Sequence, residues 1–251
     1  MRTVRVEPPE LGAVDGLAYA RFRPESEPAG GVVVLHGAGS CKESHFDFAR
    51  RCRGAGLEAI AFDQRGHGES AGALGAGAVD DVARIAALLS PGPVALRGSS
   101  MGGFMALVAG ARLGADAVVA VCPAGADQLR RGLRDGAFEF RADAGGLDAL
   151  LELSDERAAA RALGERLLLL HAEGDERVPV AGSRELHALA EGSRLVTVPG
   201  GHHRSVQHDG ELQALSVSFI ARGPGRRAPR DAAGLGGRRA APRPDPPPPA
   251  G

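Results

Sequence analysis

The amino-acid sequence predicts a doubly wound α/β fold: a mostly parallel sheet of about eight strands with helices on both faces. Three observations carry that reading. Short apolar runs recur along residues 1–222, each bounded by Gly, Pro or charged residues, as strands buried on both faces of a parallel sheet require. Longer segments with helical spacing separate these runs. Two stretches of alternating polarity precede the first run, where an antiparallel edge fits.

The elements follow in order. Thr3–Val6 and Leu17–Phe22 alternate and are expected at the edge. Gly31–Leu35 (GVVVL) is the first buried strand, followed by a helix at Phe46–Gly54. Leu57–Phe62 (LEAIAF) leads to a helix at Val79–Leu89, and Val94–Leu96 (VAL) to one at Met101–Leu113. Ala117–Val121 (AVVAV) comes next. Leu167–Leu170 (LLLL) then precedes a helix at Ser183–Ala190, and Leu195–Val198 (LVTV) one at Glu211–Ile220. Functional residues of such sheets sit in the turns after the carboxyl ends of strands.

Residues 123–166 break the rhythm, being longer than one crossover helix requires. Their mixed polarity and the pair Phe138 and Phe140 suit either a small cap or lid over the strand ends or a plain pair of crossover helices. From Gly223 onward the chain is almost all Gly, Ala, Pro and Arg, with no apolar periodicity. That composition predicts a disordered tail at 223–251 beside a folded domain at 1–222. The tail's six Arg and two Asp leave residues 1–222 at net −5, against −1 for the whole chain. Its Arg pairs and Pro run could serve a nucleic acid or a partner peptide, or be a solvated tail with no selected role.

At 251 residues the chain can bury a sizeable core, and 43% hydrophobic with 24% charged residues is ordinary for a soluble domain. Near-neutral charge gives no field to recruit nucleic acid or an anionic membrane. With 4% aromatics, no Trp and one Tyr, base-stacking platforms are scarce. No apolar run reaches spanning length, and residues 1–10 lack a signal peptide's apolar stretch. Cys41, Cys52 and Cys122 are widely spaced, which argues against a disulfide framework or zinc knuckle and for a reducing, cytoplasmic setting. Lys42 is the sole lysine, and with abundant Ala and Gly this suggests a GC-rich bacterial genome.

Between the VAL run and its helix lies Gly98-Ser99-Ser100-Met101-Gly102-Gly103, a G-x-S-x-G with Ser100 at its centre. The chemistry needs a strand-to-helix turn tight enough to project a hydroxyl above the sheet edge. The helix from Met101 would aim free N–H groups at an anion beside Ser100. In a chain with 37 Gly the pattern alone is weak, and its placement between strand and helix gives it weight. A serine also needs a base, and the base an orienting acid. Asp175 follows LLLL in a Gly-Asp-x-x-Val-Pro turn, flanked by Glu173 and Glu176, and Pro199-Gly200-Gly201-His202-His203 follows LVTV. The order Ser, Asp, His is the one this architecture expects.

Together with Leu35-His36-Gly37-Ala38-Gly39 and Asp63-Gln64-Arg65-Gly66-His67-Gly68-Glu69-Ser70, these blocks resemble an α/β-hydrolase-fold serine hydrolase over residues 1–222. The monoacylglycerol lipase, esterase and dienelactone hydrolase-like branches all use similar blocks. The resemblance implies a catalytic triad of Ser100, Asp175 and a histidine. It also implies an oxyanion hole from the backbone N–H of Ala38 and Met101. In members with a Pro-Gly-x-x-His turn the catalytic residue is the fourth after proline, which favours His203 over His202. His36 and His67 are implied to hold loops; His45 is expected on a helix face by its place in the chain, and His208 at the surface near the start of the last helix. A metal site from His202, His203 and His208 lacks a carboxylate partner.

The resemblance therefore implies an ester or related acyl bond in a small-molecule substrate, without cofactor or metal, while charge and apolar run length predict no nucleic-acid partner and no membrane span. Thioesterase, amidase, lactonase and acyltransferase chemistry stay open, as does a non-catalytic ligand-binding role. Oligomeric state is left open. Met101, Phe104 and residues 123–166 are expected to line the pocket. Gly37-Ala38-Gly39-Ser40-Cys41-Lys42-Glu43 fails the P-loop pattern, because Cys41 stands where Gly belongs and Glu43 where Ser or Thr belongs.

Overall fold

A computed structural model describes residues 7–223. An eight-stranded open sheet runs through it in the order β1-β2-β4-β3-β5-β6-β7-β8. The strands are β1 (Glu10–Val14), β2 (Leu17–Phe22), β3 (Gly31–Leu35), β4 (Glu58–Phe62), β5 (Val94–Ser99), β6 (Ala117–Val121), β7 (Leu167–Ala172) and β8 (Arg194–Val198). β2 runs antiparallel to β1 and β4, and every later pairing is parallel. Thr3–Val6 lies outside the described residues, as does the tail beyond Gly223. The strand beside β2 is instead Glu10–Val14, joined to it through Asp15-Gly16, both at positive φ (48° and 79°). An Asp-Gly pair between two strands is a hairpin signal, and it marks the strand that alternation did not.

Strand alternation sorts the core into two layers. In β3, Val33 and Leu35 face one cluster while Val32 and Val34 face the other. β7 repeats the split, with Leu167 and Leu169 on one side and Leu168 and Leu170 on the other. The first layer packs α2 (Ala78–Ala86) and α3 (Met101–Leu113) against the sheet, with α6 (Glu156–Leu163) and α7 (Val180–Leu189). The second packs α1 (Phe46–Gly54) and α9 (Gly210–Arg222), with Val206 of the short α8 (Ser205–His208). Among the described residues no helix is long and apolar enough to cross a membrane.

Residues 123–166 form α4 (Ala126–Arg134), α5 (Ala144–Leu153) and α6, three helices where the sequence offered a small cap or lid or a plain pair of crossover helices. α6 packs on α3 and α7 as the crossover helix, while α4 and α5 pack on each other. The segment after α4 is stitched down by Leu74 N–H donating to Arg141 O (3.0 Å) and Asp143 N–H to Leu74 O (2.9 Å). Strand order reverses between β3 and β5, and the crevice at such a switch point is where open α/β sheets bind ligands.

Candidate active site

β5 ends at Ser99 and α3 begins at Met101, so one residue makes the whole turn. Ser100 sits at φ 55°, ψ −120°, a conformation an L-residue holds only under constraint. The constraint is visible. Ser100 N–H donates to Val121 O (2.9 Å), and Ser100 O accepts from Phe104 N–H (3.1 Å) and Ala124 N–H (3.2 Å). The two flanking glycines are required sterically. A Cβ at Gly98 would overlap the carbonyl of Gly102, and one at Gly102 would lie 2.5 Å from the carbonyl oxygens of Leu35 and His36. Ser100 lines a cavity of about 720 Å³ whose wall also includes Ala38, His203 and, from the insertion, Leu129 and Phe138.

Asp175 lies in the turn after β7, its carboxylate fully buried. Oδ1 accepts from the backbone N–H groups of Arg177 (2.9 Å) and Val178 (2.8 Å), and Oδ2 accepts from His203 Nδ1 (2.7 Å). Burial alone would raise its pKa, but these bonds outweigh burial and hold the carboxyl below its usual range. His203, after β8, is also tied by its backbone N–H to Glu176 Oε2 (3.1 Å). With Nδ1 donating to Asp175, Nε2 is left to accept a proton. Among the described residues Ser100 Oγ makes no hydrogen bond, which is common before substrate binds. Glu173 pairs with Arg184 (3.1 Å) on the surface.

The adjacent His202 is exposed, off the cavity wall, with Nδ1 accepting from Arg204 N–H (3.3 Å). His208 Nδ1 meets Asp47 Oδ2 (3.0 Å), so His202, His203 and His208 are each turned to a different partner. Cys122, His171 and Asp175 bring ligand atoms within 4.8 Å of one another. Their donors are already engaged: His171 Nε2 donates to Val178 O (2.9 Å) and its Nδ1 accepts from Ser183 Oγ (2.7 Å). Burial pushes the Cys122 thiol up to about 12.

The β3–α1 loop carries Ala38. His36 anchors it, fully buried, with Nδ1 donating to Gly37 O (2.8 Å) and Nε2 accepting from Gln64 N–H (3.0 Å). Ring contacts continue from His36, edge-on to His67, through stacked His67, Phe140 and Phe138, linking this loop to the insertion. Ala38 N–H has no protein acceptor among the described residues. Met101 N–H belongs to the first turn of α3, which lacks intrahelical acceptors. Four residues past Ala38, Lys42 is buried. Its Nζ donates to Asp63 (2.9 Å) and Glu69 (2.6 Å) and pairs with Glu43 (2.9 Å), while its N–H donates to Asp63 Oδ1 (2.7 Å). Burial works against the ammonium, but these three carboxylates raise its pKa.

Several expectations need correction. Met101 and Phe104 do not line the cavity and lie in the core, 1% and 0% exposed, because α3 runs under the sheet's cover. His45 is not on a helix face. It sits fully buried in a 3-10 turn at Lys42–His45, and neither ring nitrogen has a partner. β5 runs on through Arg97, Gly98 and Ser99, which the apolar pattern did not foretell. Gln207, unremarked in the sequence, accepts from Ser99 Oγ (2.9 Å) and reaches Ser44 O (3.4 Å), binding the histidine loop to β5 and the β3–α1 loop.

Four buried histidines set a pH dependence of stability. Burial lowers His36 from 6.5 to about 4, His45 well below 6.5, and also lowers His67 and His171. Below pH 6.5 the unfolded chain takes up protons that the folded chain refuses, so stability is complete above that pH and lost as pH falls through it. His36 alone accounts for roughly 3 kcal/mol by pH 4. Asp63 and Asp175, whose pKa values are lowered, add a further loss as pH falls below about 4. Urea unfolding across pH 8 to 4 should show the decline starting near 6.5. A flat profile down to pH 4.5 contradicts this.

A serine on a strained strand–helix turn, at the reversal point of a mostly parallel eight-stranded sheet, defines the α/β-hydrolase class. Residues 26–142 match the family described as serine aminopeptidase, S33, and residues 151–225 the TAP-like proteins. No curated protein matches the sequence. Among solved structures, the monoacylglycerol lipase of Paleococcus ferrophilus is 22% identical at TM-score 0.66, covering 82% of this chain and 98% of that one. The enol-lactonase of Burkholderia xenovorans is 18% identical at TM-score 0.67, covering 84% and 99%. A lidless serine hydrolase of Xanthomonas campestris is 19% identical at TM-score 0.62, covering 88% and 97%. The chain has the α/β-hydrolase fold, and the two family matches support hydrolase activity.

Proposed function

We propose that this chain is a serine hydrolase of carboxylic esters or closely related acyl bonds. The observation that carries this is the 2.7 Å bond from His203 Nδ1 to buried Asp175, with His203 and Ser100 both lining one cavity. Ser100 Oγ attacks the acyl carbon as its proton passes to His203 Nε2. Asp175 fixes the tautomer and stabilises the imidazolium, and the Ala38 and Met101 amides receive the oxyanion. The alkoxide leaves with the proton from His203. Water, deprotonated by the same nitrogen, then displaces Ser100 and frees the acid. These steps use only the chain's own groups and water. Thioester, amide and lactone cleavage, or acyl transfer to another acceptor, follow the same path.

In this reading α4 and the segment behind it act as a small fixed cap, and a cavity of about 720 Å³ suits small or medium acyl groups. The three free cysteines suit a reducing compartment such as a bacterial cytoplasm. The test is turnover of 4-nitrophenyl butyrate. Many equivalents of nitrophenol per chain, absent in Ser100→Ala, are the expected result. A single burst and then silence would instead mark a slow ligand sensor.

A further inference from the structure

We propose that the polar wall of the cavity is a subsite for a carboxylate carried by the substrate, so that the preferred ester or lactone is anionic. This rests on the hydrolase reading above. The lining contributed by α4 and the segment after it is apolar at Leu129, Ala137 and Phe138. Another part of the lining is a hydrogen-bonded patch of hydroxyl, amide and imidazole groups. Ser40 Oγ meets Ser44 Oγ (2.7 Å), Ser99 Oγ donates to Gln207 (2.9 Å), and Gln207 Nε2 meets His208 Nε2 (3.0 Å). Arg204 lines the same cavity and is exposed, with no carboxylate in ion-pair distance among the described residues.

Under this patch lies a second cation. Arg97 is fully buried in β5, on the face shared with Ser99. One nitrogen donates to Gln207 O (3.1 Å), and the guanidinium lies 4.1 Å from the centre of the Phe48 ring. Its Nε and Nη1 have no partner, and no carboxylate pairs with it among the described residues. A buried unpaired charge is weakly screened and projects its potential into the adjoining wall.

Of the acids nearby, Asp47 and Glu176 are committed to partners, and Glu139 is a lining carboxylate with no ion pair among the described residues. Asp47 accepts from His208 (3.0 Å), Gln213 (2.7 Å) and Phe48 N–H (2.8 Å) and does not line the cavity. Glu176 accepts from His203 N–H, and Glu139 follows Phe138 in the segment after α4, away in sequence from the Ser99, Arg204 and Gln207 patch. Arg177 on the rim lies 3.9 Å from Glu176. Residues 1–222 carry net charge −5, yet the cavity lining holds two arginines, Arg177 and Arg204, against one carboxylate, Glu139.

The test compares specificity constants for neutral 4-nitrophenyl butyrate with those for two charged esters. Mono-4-nitrophenyl glutarate carries the carboxylate on the acyl side, and 3-carboxy-4-nitrophenyl butyrate on the alcohol side. At least one charged ester should exceed the neutral one. That charged-to-neutral ratio should drop about fivefold to tenfold in Arg204→Gln, recover in part in Arg204→Lys and fall with added salt. A native ratio below one for both charged esters, or a ratio unmoved by Arg204→Gln, overturns the proposal and leaves the hydrolase reading intact. A folded chain that cleaves none of the three overturns the hydrolase reading and this proposal with it.

Discussion

Replacing His203 with alanine is expected to lower kcat for ester hydrolysis by about 10⁴-fold or more, whereas the same change at His202 leaves it within about twofold. The two residues are neighbours in sequence and differ in almost every physical respect. His203 reaches buried Asp175 and lines the cavity. His202 is exposed and bonded to the backbone of Arg204. Because Ser100, His203 and Asp175 act as one unit, Ser100→Ala should cost about as much as His203→Ala, and the double variant little more. Steady-state rates of the four variants decide this. Equal losses at positions 202 and 203 would remove His203 from the assigned role.

The second large effect is on stability. Asp63→Ala is expected to destabilise the fold by about 3–5 kcal/mol, read as a lower urea midpoint at unchanged slope. Asp63 is fully buried and accepts from Lys42 N–H, Lys42 Nζ and Glu69 N–H. Its removal strands two backbone donors and leaves the buried ammonium to carboxylates that are half exposed or more. The same change loosens the loop that presents Ala38, so kcat should fall while the variant remains folded at low temperature. Lys42→Met should reproduce much of the stability loss, since it strands the other half of the pair.

The parts legible in the sequence are those fixed by local rules. GVVVL, AVVAV and LLLL, short and bounded by Gly, Pro or charged residues, read as buried strands, and their alternation into two layers follows from strand geometry. Gly98 and Gly102 around Ser100 announced the turn because nothing larger fits there. The parts that were hidden depend on contacts between distant segments. Arg97 reads as the end of a strand, yet β5 continues because tertiary pairing with β3 and β6 overrides the break in the apolar run. Lys42 and Gln207 bear no motif. Lys42 meets Asp63 across 21 residues and Gln207 meets Ser99 across 108. The Asp15-Gly16 hairpin was visible in principle, since its turn residues are adjacent and specific.

Active-site labelling with a fluorophosphonate tests the central claim most directly, because the reagent reacts only where a serine is activated beside a working oxyanion hole. The native chain should be labelled on the peptide containing Ser100, and Ser100→Ala and His203→Ala should show no label. Labelling elsewhere, or none on a folded native chain, would contradict the account.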